Sequence, residues 1–352
     1  MIEVGKERNK DIGIEKGIKK DFGLKKYFSS DINLTVLVIL AIAIIIFLQL
    51  SLSPKIFSVN NLTSMAYQIP AFGFLALAMM LSMLTGGIDL SIISNANLSG
   101  IFGGFILTGA VFGHHSSLSP NLLIIIAIVA ILVISTLLGL INGFLIAKLS
   151  VPPIIATLGT MLFYSGIGMA ITDGQGIVGF PDGFLNISIG TVSRVPYIFI
   201  AFIVITVIVG IILSKTSFGK KVYLYGENNV ATRFTAINNE SLIIKVYSFC
   251  GLLSGIASII MISSVNSAKV GYGDTFLLQA LLVAVLGGVN PNGGRGRVTG
   301  VVLGIFILQI LQSAFTFWQV TPYAKNLLWG SMLLIVLIVN FIIDKSLARK
   351  TR

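Results

Sequence analysis

One cysteine and two histidines in 352 residues leave little with which to close a disulfide or hold a metal. Cys250 lies in an apolar run with no second thiol, which excludes a disulfide framework and a cysteine metal motif and makes it a small hydrophobe. His114 and His115 are neighbours in a polar connection, and two adjacent imidazoles without a third ligand read as an exposed loop rather than a metal site. Acids are scarce, with 13 Asp and Glu against 24 Lys and Arg. No GxxxxGK[ST] occurs, so the chain has no P-loop for nucleotide phosphates. No paired catalytic carboxylates and no nucleophile with a base can be found either, which argues against an enzyme. Charged residues are only 11% of the chain and hydrophobic ones 55%, a composition that excludes a soluble fold.

What is present is a succession of apolar runs long enough to cross a bilayer, where a helix needs about 20 residues. Spans are expected near 34–52, 60–84, 90–112, 121–148, 153–172, 196–214, 243–264, 275–289, 298–317 and 324–343. The fold class is therefore an all-α integral membrane protein of about ten transmembrane helices with both termini cytoplasmic. With the N-terminus inside, of the 24 Lys and Arg only Lys55, Arg194, Lys269 and Lys325 fall outside. That asymmetry is the positive-inside pattern, and it accounts for the net charge of +11 without nucleic acid as a partner. The charged start followed by Leu34–Leu52 looks like a secretory signal, but the run is too long and no small-residue cleavage pattern follows.

Residues 1–30 form an expected N-terminal tail. Ile14, Ile18 and Phe22 have helical spacing for a short surface helix, whereas Gly5, Gly13, Gly17 and Gly23 favour a flexible segment. A single transmembrane domain follows at 31–344, with a tail at 345–352. Two connections stand out, 173–195 outside and 215–242 inside. The outer one, with its glycines and Pro181, reads either as an ordered turn-rich loop or as a simple linker.

Three kinds of residue interrupt the apolar pattern. Leu84-Thr-Gly-Gly-Ile-Asp-Leu-Ser91 breaks a helix at Gly86 and Gly87, and Asp89 is placed either to cap the next helix or to line a pathway. The only other acid near membrane depth is Asp274, at the start of a span, and this scarcity argues against a carrier coupled to proton or sodium uptake. The stretch 286–297 carries Gly287, Gly288, Gly293, Gly294 and Gly296, followed by Gly300 and Gly304. Gly86, Gly87, Gly100 and Gly104 have a similar arrangement in the first half. Both a duplicated element and the membrane preference for close-packing glycine account for this. The amides Gln68, Asn95, Asn97, Asn142, Asn266, Gln279, Gln309 and Gln312, with Tyr164, suit either interhelical hydrogen bonds or the path of a neutral polyhydroxylated solute. Asp89, Asn95, Asn97, Gln279 and Gln309 are the expected pathway residues.

Tyr225-Gly-Glu-Asn-Asn-Val-Ala-Thr-Arg-Phe-Thr-Ala-Ile-Asn238 resembles the coupling-loop motif of ribose-type ABC importer permeases, roughly GGNxxAAxLSGI. TGGIDLS at Thr85–Ser91 and the LGG and GGxGxxxG elements between Leu286 and Gly300 resemble two further motifs of that family. Asn229, Ala236 and Ile93 depart from the pattern, which commonly has an acid, a glycine and a glycine there. The resemblance implies the permease subunit of an ATP-binding cassette importer in a bacterial plasma (inner) membrane, moving a sugar or sugar-like neutral solute. It implies partners too: cytoplasmic ATPase subunits that bind ATP and Mg, a second permease copy, identical or related, and an external solute-binding protein. This chain itself would bind no cofactor. Within the loop 215–242, a short helix around 228–237 would seat in a groove of the ATPase. Val230, Ala231, Phe234 and Ile237 would give the apolar face and Glu227 and Arg233 the charges, with Asn228, Asn229 and Thr232 completing the segment. A helix lying on lipid is the bland alternative for this stretch. The rival functions are a branched-chain amino acid permease of related architecture and a facilitator working without an ATPase.

Overall fold

The computed structural model describes residues 32–52, 55–110, 119–235 and 237–350. The tail 1–30, the pair His114 and His115, and Ala236 lie outside the described residues. The described residues are mostly helical. Helices α1 (Ile32–Leu52), α2 (Val59–Leu84), α3 (Ile92–Leu107), α4 (Pro120–Ala147), α5 (Pro153–Thr172) and α6 (Asp182–Ile189) are followed by α7 (Tyr197–Lys215), α8 (Ser217–Glu227), α9 (Asn229–Arg233), α10 (Asn239–Val265), α11 (Asp274–Leu286), α12 (Val298–Phe317) and α13 (Pro322–Lys350). Seven of these are long and apolar enough to cross a membrane, namely α2, α4, α5, α7, α10, α12 and α13 through Val339. Three shorter apolar helices, Leu37–Leu52, Ile92–Leu107 and Asp274–Leu286, accompany them. The span expected at 90–112 thus ends as a helix at Leu107, and the last helix runs on to Lys350, through most of the segment read as a tail from 345.

Local chemistry sets the helix starts. Ser58 and Asn238 cap α2 and α10 by accepting from the backbone N–H of Asn61 (3.3 Å) and Ser241 (2.9 Å). Pro120 and Pro153 open α4 and α5 at the position where a missing N–H costs nothing. Asp274 begins α11, where a carboxylate favours the positive end of the helix dipole; this gives it a structural role.

Polarity and burial run opposite to the order expected in water. The most apolar helices, α4 and α7, expose stripes such as Ile125, Val129, Val133 and Leu137, while the less apolar α2 is buried along most of its length from Phe72 to Leu84. In a bilayer the greasiest faces turn outward to lipid, and packing rather than hydrophobicity joins the interior helices. The core forms where α2 meets α10, α11 and α12, through Phe74, Leu77, Met80, Val246, Leu253, Leu282 and Ile305.

The tightest helix contact is between α4 and α10. Gly139 of α4 faces Gly251 of α10, where a Cβ at Gly139 would stand 2.9 Å from the Gly251 Cα, and Gly255 of α10 packs against Ser135. A Cβ at Gly143 would meet the Ile244 Cα at 2.7 Å. Side chains larger than hydrogen would force these backbones apart, so Gly251→Leu is expected to destabilise the fold by about 3 kcal/mol. A thermal melt in detergent checks this, against Gly166→Ala, where an added Cβ meets nothing within 4 Å. Equal melting of the two variants would contradict the packing argument.

At the end of the bundle opposite α8 and α9, the connection 173–195 is ordered rather than a simple linker. Strand β1 (Ile177–Val178) pairs antiparallel with β4 (Ser267–Ala268), and β2 (Thr191–Val192) with β3 (Val195–Pro196) around a turn at Ser193 and Arg194. Helix α6 bridges the two, with Phe184 buried beneath it beside Phe180.

Candidate functional site

The polar residues singled out by sequence fall into three groups. The first surrounds the break between α2 and α3. Leu84 ends α2, Gly86 turns through φ +77°, and the Asp89 N–H donates to the Ser82 hydroxyl at 3.3 Å. Asp89 is not the cap of α3, as expected; that position belongs to Ser91. Instead the Asp89 carboxylate accepts from the Ser91 N–H (3.0 Å) and hydroxyl (2.7 Å). Asn142 of α4 donates to that hydroxyl at 2.7 Å and accepts from Thr160 of α5 at 2.7 Å. A chain of buried bonds therefore ties three helices to the break, and separately from it Asn95 of α3 donates to the Ser135 carbonyl of α4 at 3.0 Å. Asp89, Ser91, Asn142 and Thr160 each support another, as a structural network requires, whereas the buried Asn95 Oδ1 has no protein partner. Asp89→Asn keeps the accepting Oδ1 and is expected to hold activity within about twofold, whereas Asp89→Leu orphans two buried donors at about 1–3 kcal/mol each. Thermal melts and uptake assays on the two variants check this, and equal damage from both would contradict it.

The second group is a ladder of side-chain amides and a hydroxyl between α2, α11 and α12. Ser313 donates to Asn61 at 2.9 Å, Gln309 to Gln68 at 3.2 Å and Gln279 to Gln312 at 3.2 Å. Gln309 and Gln279 are 1% and 2% exposed, and the Oε1 of each has no protein partner. Two buried acceptors in one cluster are groups that a hydroxyl donor would satisfy. The five residues expected to share one pathway are thus divided. Gln279 and Gln309 come together with Gln68 and Gln312, while Asp89 joins Asn142 and Thr160 through Ser91 and Asn95 bonds to the Ser135 carbonyl. Asn97 is buried on α3. Asn266, also expected among the amides of the spans, ends α10 at φ +53° and accepts from the Phe180 N–H at 2.9 Å, which is a structural role.

The third group is the connection 215–242, where the helix expected around 228–237 is the shorter α9 and a further helix, α8, precedes it. After the eleven-residue α8, Asn228 caps the five-residue α9 by accepting from Val230 N (3.0 Å) and Ala231 N (2.9 Å). Val230 is 59% exposed and Phe234 88%, with Ala231 and Arg233 also on the surface. Thr232 is buried instead, and Ile237 is half-buried against the core. Glu227 does not wait free for an outside charge, because it lies 3.6 Å from Arg295. Asn229 accepts from the Asn239 amide at 3.2 Å, and Lys148 pairs with Glu240 at the base of α10.

Sequence reasoning missed Gly226 and Tyr223. Tyr223 donates to the Gly296 carbonyl at 2.9 Å, and burial pushes its pKa up so that the donor proton stays. The Gly294 N–H donates to the Leu84 carbonyl at 3.0 Å, directly beside Gly226. The glycine motifs of both halves and the inner loop therefore meet at one point. Only the glycine doublets in the chain signalled that backbones approach closely there, and nothing in the sequence paired them. Among the described residues no group of three His, Cys, Asp or Glu is placed to hold a metal.

A bundle whose greasy helices face outward, with helix breaks and buried amides inside, defines a multi-pass membrane protein of the permease class. The chain belongs to the family described as branched-chain amino acid transport system / permease component, whose model matches residues 61–337. It is similar to the ribose import permease protein of Escherichia coli strain K12, at 31% identity over 320 residues, covering 90% of this chain and 96% of the relative. The corresponding protein of Haemophilus influenzae is 33% identical over 313 residues, with 88% and 94% covered. An autoinducer 2 import system permease protein of Enterobacter sp. strain 638 is 31% identical over 308 residues, with 86% and 90% covered. No solved structure matches. The resemblance carried by the three motifs is therefore borne out, and the chain is a transport subunit rather than a catalyst.

Proposed function

We propose that this chain is the membrane-spanning subunit of an ATP-binding cassette importer that moves a sugar or sugar-like neutral solute into a bacterium across its plasma (inner) membrane. In this reading it crosses about ten times, with the three shorter apolar helices counted as spans and both termini in the cytoplasm. The observation that carries the reading is the exposed apolar pair Val230 and Phe234 on a capped helix among basic residues of the inner side. Such a knob serves no purpose in the chain alone and fits a groove in a partner. Without a P-loop in this chain, ATP and Mg belong to that partner, an ATPase. A second permease copy and an external solute-binding protein complete the assembly.

The amide ladder favours a neutral solute over a branched-chain amino acid. A zwitterion calls for charge complements, and the ladder offers amides and a hydroxyl alone. Asp89 then serves the break rather than the pathway. The test is co-purification of the tagged protein from its native membrane, with identification of associated chains and an ATPase assay over a panel of sugars and amino acids. A P-loop ATPase stimulated by a sugar is the expected result. Vesicles that pass solute with no ATPase attached would support a facilitator, and stimulation by valine or leucine the amino acid reading.

A further inference from the structure

We propose that Gly226 is a positioning residue for transport, the point at which the α8–α9 segment grips the inner ends of α2, α11 and α12; this role rests on the importer reading above. The grip is backbone on backbone. A Cβ at Gly226 would strike the Leu84 carbonyl oxygen and the Gly294 nitrogen, and would stand 3.0 Å from the Gly294 Cα. At Gly293, with φ +98°, a Cβ would lie 2.8 Å from both the Gly226 oxygen and the Gly86 nitrogen. At Gly86 it would lie 3.0 Å from the Asn292 oxygen. Three segments far apart in sequence are thus in contact with no side chain between them.

That absence has a mechanical consequence. A contact made by side chains yields when a rotamer changes, whereas close-packed backbones transmit a displacement. Tyr223 and the Glu227–Arg295 pair hold α8 to the same loop from either side of Gly226. Beyond the junction, Leu84 is the last residue of α2. The loop 287–297 joins α11 to α12, where a Cβ at Gly287 would lie 2.7 Å from the Val301 Cα. The helices gripped are the three that carry Gln68, Gln279, Gln309 and Gln312. The Asp89 network lies across the break, on α3, α4 and α5. Motion of the α8–α9 segment therefore reaches the amide ladder through the inner ends of α2, α11 and α12.

The test is hydrogen–deuterium exchange on the whole complex in nanodiscs, with and without Mg-ATP and vanadate. In the wild type, exchange over residues 82–88, 222–234 and 287–297 is expected to change together, with the Gly294 amide as direct reporter of its bond to Leu84. In Gly226→Ala the response of 82–88 and 287–297 is expected to fall about tenfold while that of 222–234 remains, since a displacement near 1 Å at such a contact is enough to uncouple it. Gly159→Ala, where an added Cβ meets nothing within 4 Å, is expected to behave as wild type. A full response at all three segments in Gly226→Ala would overturn the proposal. If that variant does not assemble, a wild-type response confined to 222–234 would overturn it equally, and a concerted one would support it. A wild-type preparation with no ATPase attached would instead remove the importer reading, and the junction's role with it.

Discussion

Phe234→Glu is expected to leave the chain folded and inserted and to reduce solute-stimulated ATP hydrolysis about 100-fold. The side chain is 88% exposed, so its loss costs this chain's own core nothing. Its burial in a partner groove is worth about 1.5–3 kcal/mol, and a carboxylate in the same place adds the cost of desolvating an unpaired charge. A tenfold change in affinity corresponds to about 1.4 kcal/mol, so the two effects together exceed two decades. Arg233→Glu, one residue earlier and also exposed, is expected to act in the same direction by reversing a charge at the groove's edge. Thr232→Glu is a different kind of change. Thr232 is buried, and its hydroxyl donates to the Asn229 carbonyl at 2.9 Å, so that variant damages α9 itself and lowers the melting temperature. Melting, co-purification and ATPase assays on the three variants separate the cases. Phe234→Glu with wild-type stimulation would remove the basis for the coupling role of α9.

The membrane class was legible because composition is a sum over many residues, and so was the approximate position of nearly every helix. The three motifs were legible as separate strings. Their meeting at Gly226 was not, because a contact among Leu84, Gly226 and Gly294 leaves no periodicity in any one segment. Asp89 was read correctly as a residue of the helix break, with a cap and a pathway role both left open; the cap position belongs to Ser91, whose N–H and hydroxyl donate to the Asp89 carboxylate. Asp89 and Ser91 are both capping residues two positions apart, and residue type alone does not choose between them. The helix expected at 228–237 is present as the shorter α9, and the helix α8 before it went unread because Asn228 can stop one helix and cap the next, a use that propensity does not reveal. The amides were found individually by type. Their division into two groups followed from which helices are neighbours, information that hydropathy does not hold.

The double variant Gln68→Leu, Gln309→Leu is expected to change stability and transport in opposite directions. The pair makes one mutual hydrogen bond and leaves the Gln309 Oε1 buried without a partner. Gln309 is buried and Gln68 exposed, so replacing both by similar apolar volume is expected to be neutral or stabilising, by up to about 1 kcal/mol, because an unsatisfied buried acceptor goes with Gln309. Gln309→Leu alone removes the donor to the Gln68 carbonyl, but Gln68 is exposed, so that variant is expected to melt close to the double variant. Uptake, by contrast, is expected to fall about tenfold or more in both variants, because a hydroxylated solute loses the acceptors that replace its water on the way through. A structural ladder predicts the reverse: the double variant would transport as well as it folds. Melting temperature and vesicle uptake measured on the same preparations therefore decide what the ladder is for. A double variant that is stable and fully active would make these amides interhelical bonds alone and move the search for the pathway to Asn97 and the face of α3 that bears it.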